Sequence, residues 1–466
     1  MSRVDFSESP AVDLVIENGT LVDAVGEHPN TSVAVDGGRF VAVGPPGAMP
    51  VAERRIDASG MYLLPGMVDA HVHFREPGME YKEGFPVGSG AAALGGVTTV
   101  LDMPNTEPPT DTAVRFAEKL DLVRGRSWVD YGFYALLGPG EATELEGLAD
   151  SGAVGFKVFL GQSEQGPGCP LPPDDGDLHA AMGELARLGL RLAVHAENHA
   201  MVLHGIAKVK AGRGTGLEAH RSSRPPLVES EAIRRVGLFA ADTGCAVHIV
   251  HVSAAEGVAA AVTVRSSGVD LTAETCPHYL LLPDEAIGER LRHRVNPPIR
   301  TLGDRDALRK ALATGDLQFV ASDHAPHSPA EKSANDVWRV RPGVIGVQHQ
   351  LQILWSRRDE FGLSRSDLVR ATAFEPARTW GLWPRKGSVT PGADADLVVI
   401  DPNRPWTIDE DVTHSANPEG PFAGLRGTGA PVLTLLRGSV VAKGGRLVGS
   451  PSGNWLPGSR WRGPRP

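Results

Sequence analysis

The sequence predicts an α/β protein: a (β/α)8 TIM barrel plus a small β-sandwich formed by both chain ends. Three observations carry that expectation. Short apolar strand patterns alternate with helix-spaced segments through the middle of the chain. The two ends share a different texture, with apolar and polar residues alternating between turns. The length of 466 residues suits one barrel of about 250 residues with an appendage.

Residues 1–62 supply the first part of the sandwich. Their runs DLVIENGTLVD and SVAVDGGRFVAVG have period two, and the Asn-Gly and Gly-Gly pairs mark hairpin turns. Residues 63–384 supply the barrel. Its strand candidates are, in order, MVDAHVHF, VTTVLDM, YGFYALL, VGFKVFL, LRLAVHA, AVHIVHV, VDLTAET and LQFVASD. Segments such as EKLDLVRG and EAIRRVGLFAADTG between them have helical spacing, and strands alternating with helices imply parallel βα units. A doubly wound open sheet shares that alternation, but no Gly-x-Gly-x-x-Gly fingerprint opens it. Residues 385–466 complete the sandwich with KGSVTPGADADLVVIDP and PVLTLLRGSVVAKGGRLVG. The tail Pro451–Pro466, rich in Gly, Pro and Arg, is expected to be loosely held.

Composition narrows the function classes. With 41% hydrophobic and 22% charged residues the chain can bury a large core, so disorder as the main state is excluded. A net charge of −10 argues against a non-specific nucleic-acid binder. The N-terminus MSRVDFSESPAVDLVIENG lacks signal architecture, and no apolar run approaches membrane-spanning length. The cysteines Cys169, Cys245 and Cys276 lack Cys-x-x-Cys spacing and cannot form a disulfide framework, so a cytoplasmic location is expected.

The strongest local signal is Asp69-Ala70-His71-Val72-His73-Phe74-Arg75. Alternate side chains of a strand share a face, so His71, His73 and Arg75 are expected to point one way, and two imidazoles so placed can reach one metal ion. A bare His-x-His is as easily a pair of surface histidines. Context decides for a site: His195 and His251 end the apolar runs RLAV and AVHIV, and Asp323 ends LQFVAS. Ionisable residues at barrel strand ends project into the C-terminal mouth, where barrel active sites lie. Lys157, inside VGFKVFL, is either a lysine that snorkels to water or a neutral amine carbamylated by carbon dioxide, and spacing does not choose between these. His248, on the opposite strand face from His251, is expected to look toward the helices. His324 is expected to be structural, and Glu76 and Glu83 to be loop charges.

This constellation resembles the cyclic amidohydrolases of the amidohydrolase superfamily, which include dihydroorotases, allantoinases and hydantoinases. The matching segments include LPGMVDAHVHFREPG, GGVTTVLDMPNTEPPT, VHAEN, VHIVHVSAAEGV, TAETCPHYL, NPPIR, SDHAPH and GADADLVVIDP. The resemblance implies a binuclear centre of divalent ions, usually zinc. His71 and His73 would hold the more buried ion with Asp323, His195 and His251 the other, and Lys157, carboxylated at N6, would bridge them. It also implies attack by a metal-bridging hydroxide, with Asp323 as general base and then general acid toward the leaving ring nitrogen. A homodimer or homotetramer is implied as well and, for some dihydroorotases, association with aspartate transcarbamoylase. Relatives of this fold that serve as non-catalytic assembly proteins have lost their ligands, whereas here every ligand position holds a competent residue.

Within the superfamily the motifs are most similar to dihydroorotase, which interconverts dihydroorotate and N-carbamoyl-L-aspartate in pyrimidine biosynthesis. There Arg75 and Asn105 would hold the substrate carboxylate with His327, and Asn296 would bond the ring. Allantoinases, which open a neutral ring, usually carry asparagine in place of that arginine, and hydantoinases lack it as well. Yet GFKVFL, ETCPHYL and SRPPLVESEAIRRV are as similar to allantoinase, so allantoin hydrolysis in purine catabolism is the alternative, with a hydantoinase or dihydropyrimidinase beside it.

Overall fold

The computed structural model of the protein describes residues 11–140 and 144–463. The stretch 1–10, where a signal segment would begin, and residues 464–466 of the tail lie outside the described residues.

Parallel strands Met67–Val72, Val97–Asp102, Asp130–Leu136, Gly155–Phe159, Leu192–His195, Val247–Ile249, Leu271–Thr275 and Phe319–Val320 pair in chain order as one eight-stranded sheet. The sheet closes on itself: Val72 bridges His324 in parallel, and the His73 amide donates to the His324 carbonyl at 2.8 Å. Alternation explains the closure. Leu192 and Val194 join the large cluster that includes helix residues such as Leu185, Val236 and Leu308, while Ala193 belongs to a separate cluster with Val68, Ala70, Leu101, Tyr134 and Phe319. Strands apolar on both faces must be covered on both, and a barrel does so with helices outside and side chains inside.

The chain ends form a second, nine-stranded sheet, mainly antiparallel. Its two halves meet where Leu397–Thr407 pairs antiparallel with Tyr62–Pro65. Residues from both ends, among them Ile16, Val33, Phe40, Val399 and Leu435, share one apolar cluster. The strand Tyr62–Pro65 thus carries this sheet to Pro65, past residue 62, and Gly66 makes the step into the first barrel strand. A Cβ at Gly66 would lie 2.1 Å from Thr98 Oγ1, so only glycine fits the passage. Below the barrel, buried Lys386 donates to Asp130 at 2.5 Å and to Asp396 at 2.7 Å, tying the C-terminal strands to the third barrel strand.

Two expectations are corrected here. The tail is not loose over its described part: Trp455 bridges Tyr131 and stacks edge-on against Phe116 and Trp461, and the Asn454 amide donates to Asp130 at 2.7 Å. Aromatic burial outweighs the Gly and Pro content that suggested mobility. Glu76 and Glu83 are not solvated loop charges but buried. Glu76 accepts from the Phe85 amide at 2.7 Å, and Glu83 accepts from His324 Nε2 at 2.5 Å, so both pin the loop after the first strand. No helix among the described residues is long and apolar enough to cross a membrane.

Candidate active site

At the C-terminal ends of the barrel strands a pocket is lined by His71, His73, Arg75, Asn105, His195, His251, Asn296, Asp323 and His327, so nine of the ten residues singled out in the sequence share one wall. The tenth, Lys157, is fully buried on the fourth strand.

The convergence does not come from strand alternation alone. The first strand ends at Val72 and carries a register irregularity between Asp69 and Val72. Arg75, His251 and Asp323 take positive φ values of 68°, 42° and 46°. Each such non-glycine residue costs on the order of 1–3 kcal/mol, and such strain collects at functional sites. These turns redirect side chains into the mouth just where the strands stop. They also correct His248. Because the sixth strand covers only Val247–Ile249 and the chain turns at His251, His248 does not look toward the helices. It stacks on Phe319 of the inner cluster at 4.8 Å and donates to Glu274 at 3.1 Å.

Asp323 Oδ1 lies 3.2 Å from Nε2 of both His71 and His73. Ligand atoms of His71, His251 and Asp323 all fall within 4.8 Å of one another. His195 Nδ1 and His251 Nε2 face each other at 3.0 Å. Two nitrogens each about 2.0–2.1 Å from one tetrahedral ion would stand roughly 3.3 Å apart, so this spacing suits a shared cation.

The opposite ring nitrogens are held by the protein. His71 Nδ1 donates to Glu274 at 2.6 Å, His73 Nδ1 to Asn105 Oδ1 at 2.8 Å, and His195 Nε2 to Glu197 at 2.9 Å. Metal-binding histidines characteristically donate their second N–H to a carboxylate or carbonyl, which fixes the tautomer. Burial pushes His71 and His251 well below the usual imidazole range and His73 below it, leaving neutral rings able to ligate. Lys157 Nζ has no hydrogen-bond partner, and burial brings its pKa down to about 7. Four imidazoles, a carboxylate and a buried amine without a hydrogen-bond partner, which interacts electrostatically with His71 and His251, are the donor set a binuclear divalent centre requires, so the residues present fit such a group.

The residues expected at the substrate divide. Asn105 has both amide ends engaged, since Nδ2 donates to the Gly168 carbonyl at 3.0 Å. Asn296 accepts from His220 at 2.8 Å and faces Glu164 at 3.4 Å. His327 Nε2 donates to the Pro342 carbonyl at 2.9 Å, and burial holds the ring well below its usual pKa. Arg75 is different: Nε reaches the Pro326 carbonyl at 3.3 Å, and among the described residues no carboxylate pairs with it. Lys82 and Arg341, missed in the sequence, add positive charge to the wall; Lys82 pairs with Glu331 at 2.9 Å, and Arg341 donates to the Gln165 carbonyl at 2.9 Å.

The chain matches the amidohydrolase family model over residues 62–441. It is 38% identical to an allantoinase of Rubrobacter xylanophilus, across 98% of this chain and all of that one, as 100% is covered. An L-hydantoinase of Paenarthrobacter aurescens is 34% identical, with 94% and 96% of the two chains covered. Among solved structures, the L-hydantoinase (dihydropyrimidinase) from Arthrobacter aurescens superposes with a TM-score of 0.92 at 33% identity, covering 96% of this chain and 100% of that chain. A D-hydantoinase from Thermus sp. gives 0.89 at 28% identity, with 96% and 99% covered. These relatives bear allantoinase and hydantoinase names, where the local motifs had pointed to dihydroorotase. The motifs rest on a few pocket residues, whereas this identity extends over whole chains.

Proposed function

The chain belongs to the amidohydrolase family, and from that premise we propose that it opens a small cyclic ureide of the allantoin or hydantoin type by metal-dependent hydrolysis of a ring amide. The observation that carries the reading is the convergence of neutral His71, His73 and His251 with His195 and Asp323 at the barrel mouth, together with buried Lys157, whose Nζ has no hydrogen-bond partner. Whole-chain similarity to an allantoinase and to hydantoinases supports the substrate class.

His71, His73 and Asp323 would hold one ion, His195 and His251 the other, and Lys157, carboxylated on Nζ, would reach both. Bound there, divalent ions lower the pKa of water and polarise an amide carbonyl. The chain's own residues do the rest. Asp323 faces the pocket as a carboxylate able to take the proton of the attacking water and return it to the ring nitrogen that leaves. Glu274, Asn105 and Glu197 keep three imidazoles in the ligating tautomer, so none of them competes for that proton.

One observation favours a second reading. An arginine in the pocket wall without a carboxylate partner suits an anionic ring such as dihydroorotate. Parallel rate measurements of the metal-loaded protein on allantoin, hydantoin, dihydrouracil and dihydroorotate separate the two. The proposal expects kcat/KM to be highest on allantoin or a hydantoin; a maximum on dihydroorotate would transfer the protein to the second reading with its metal chemistry intact.

A further inference from the structure

Arg224 is fully buried in the loop before the helix Pro226–Thr243, and nothing in the chemistry above requires it. Its terminal nitrogens diverge. One pairs with Glu197, the carboxylate that holds Nε2 of His195. The other donates to Ser163 Oγ at 2.5 Å. Ser163 lies between the strand Gly155–Phe159 and the helix Asp175–Leu188, in the stretch where Gly161, Gln162, Glu164 and Gly168 line the pocket. Its hydroxyl in turn donates to Glu164 at 2.8 Å. A single planar guanidinium therefore links the carboxylate that supports a candidate metal ligand to a serine bonded to the pocket wall.

Through its backbone the same residue is also linked to the segment two residues beyond the other outer histidine. The Arg224 carbonyl accepts from Arg300, and Arg300 Nε donates to Ser253 Oγ at 3.2 Å, just beyond His251. A buried ion pair does little for stability compared with apolar residues of like volume, so stability alone does not account for its placement here. What the geometry does supply is rigidity: the fork fixes the distance between its two acceptors, as the flexible point charge of a lysine would not.

Resting on the metal reading above, we propose that Arg224 is a positioning residue that couples the seat of the ion at His195 and His251 to the placement of pocket residues 161–168. Ion binding then orders that segment, and by reciprocity the ordered segment tightens binding of the ion, a gain in affinity that shows mainly as slower loss.

The test uses the metal-loaded full chain and two variants. Ser163→Ala removes one half-buried hydroxyl and leaves the Glu197–Arg224 pair in place, so the fold is retained. Arg224→Lys keeps the charge but cannot reach both acceptors. Metal per chain, the rate of metal loss to a chelator, and amide hydrogen exchange over 161–168 with and without metal are read for each. In the unaltered protein, metal is expected to slow exchange in this segment. In Ser163→Ala that metal-dependent protection is expected to vanish, with metal lost about 3–10-fold faster, and in Arg224→Lys loss should rise by about 10–100-fold, the usual scale for disturbing a ligand's supporting contact. Equal protection and equal loss in all three proteins would overturn the coupling. Absence of bound metal in the unaltered protein would instead overturn the metal reading on which it stands, and the coupling with it.

Discussion

His71, His73 and His195 each have one ring nitrogen committed to a side-chain oxygen, which leaves the other as a lone pair facing the pocket. That division of labour makes Lys157 the group to watch. Its amine is unprotonated above about pH 7, and only the unprotonated amine can capture carbon dioxide. Metal uptake by stripped protein in bicarbonate should therefore rise with pH through about 7 and level off above it, and Lys157→Ala should bind less metal at every pH, as metal analysis after gel filtration would record. Arg75 gives the second prediction at this scale. If the substrate is a neutral ureide, Arg75→Met should change kcat/KM by less than about threefold; if the ring carries a carboxylate, losing a charge-assisted bond worth about 1.5–3 kcal/mol should cost roughly 10–100-fold. The proposed ligands were picked out in the sequence because His195, His251 and Asp323 sit at the ends of apolar runs, His71 and His73 alternate along one, and Lys157 lies inside one. Their supports were not: Glu274 meets His71 across 203 residues, and a single sequence does not reveal which carboxylate completes which imidazole. A carboxylate inside the apolar strand pattern VDLTAET was the one available signal for Glu274.

The eight barrel strands were readable as elements because short apolar runs bounded by turns mark strands buried on both faces. Directions at their ends were not, since alternation fails where the chain leaves the ladder: His248 faces inward beside Phe319, and His251 reaches the pocket through a left-handed residue rather than through strand phase. The C-terminal tail shows the same limit, because its Gly and Pro content hid a docking built on Trp455. Trp455→Ala should lower stability by about 2–4 kcal/mol, somewhat below the usual loss for a fully buried tryptophan because Trp455 is only partly buried. Denaturant titration would measure it, and metal content at the distant pocket should stay unchanged.

Over the whole molecule, the chain-end sheet and the barrel share a base rather than a flexible linker. Lys386 is buried among Asp130, Asp394 and Asp396, and these carboxylates hold its pKa above the usual lysine range despite burial. Removing this cation leaves Asp396 buried with no ion-pair partner among the described residues, while Asp130 keeps Arg437 and Asp394 keeps Arg385, so Lys386→Met should destabilise the fold by about 3–5 kcal/mol, and calorimetry should show barrel and sheet unfolding in one transition. The global charge of −10 opposes the local cations Arg75, Lys82 and Arg341 at the pocket. A neutral ureide feels neither field, and its kcat/KM should be nearly independent of ionic strength. The most direct test of the account follows turnover on the preferred ring while zinc is titrated into chelator-stripped protein and bound metal is counted. Activity absent without metal and rising as both seats of the centre fill is the predicted result. Full activity in protein that holds no metal would contradict the account.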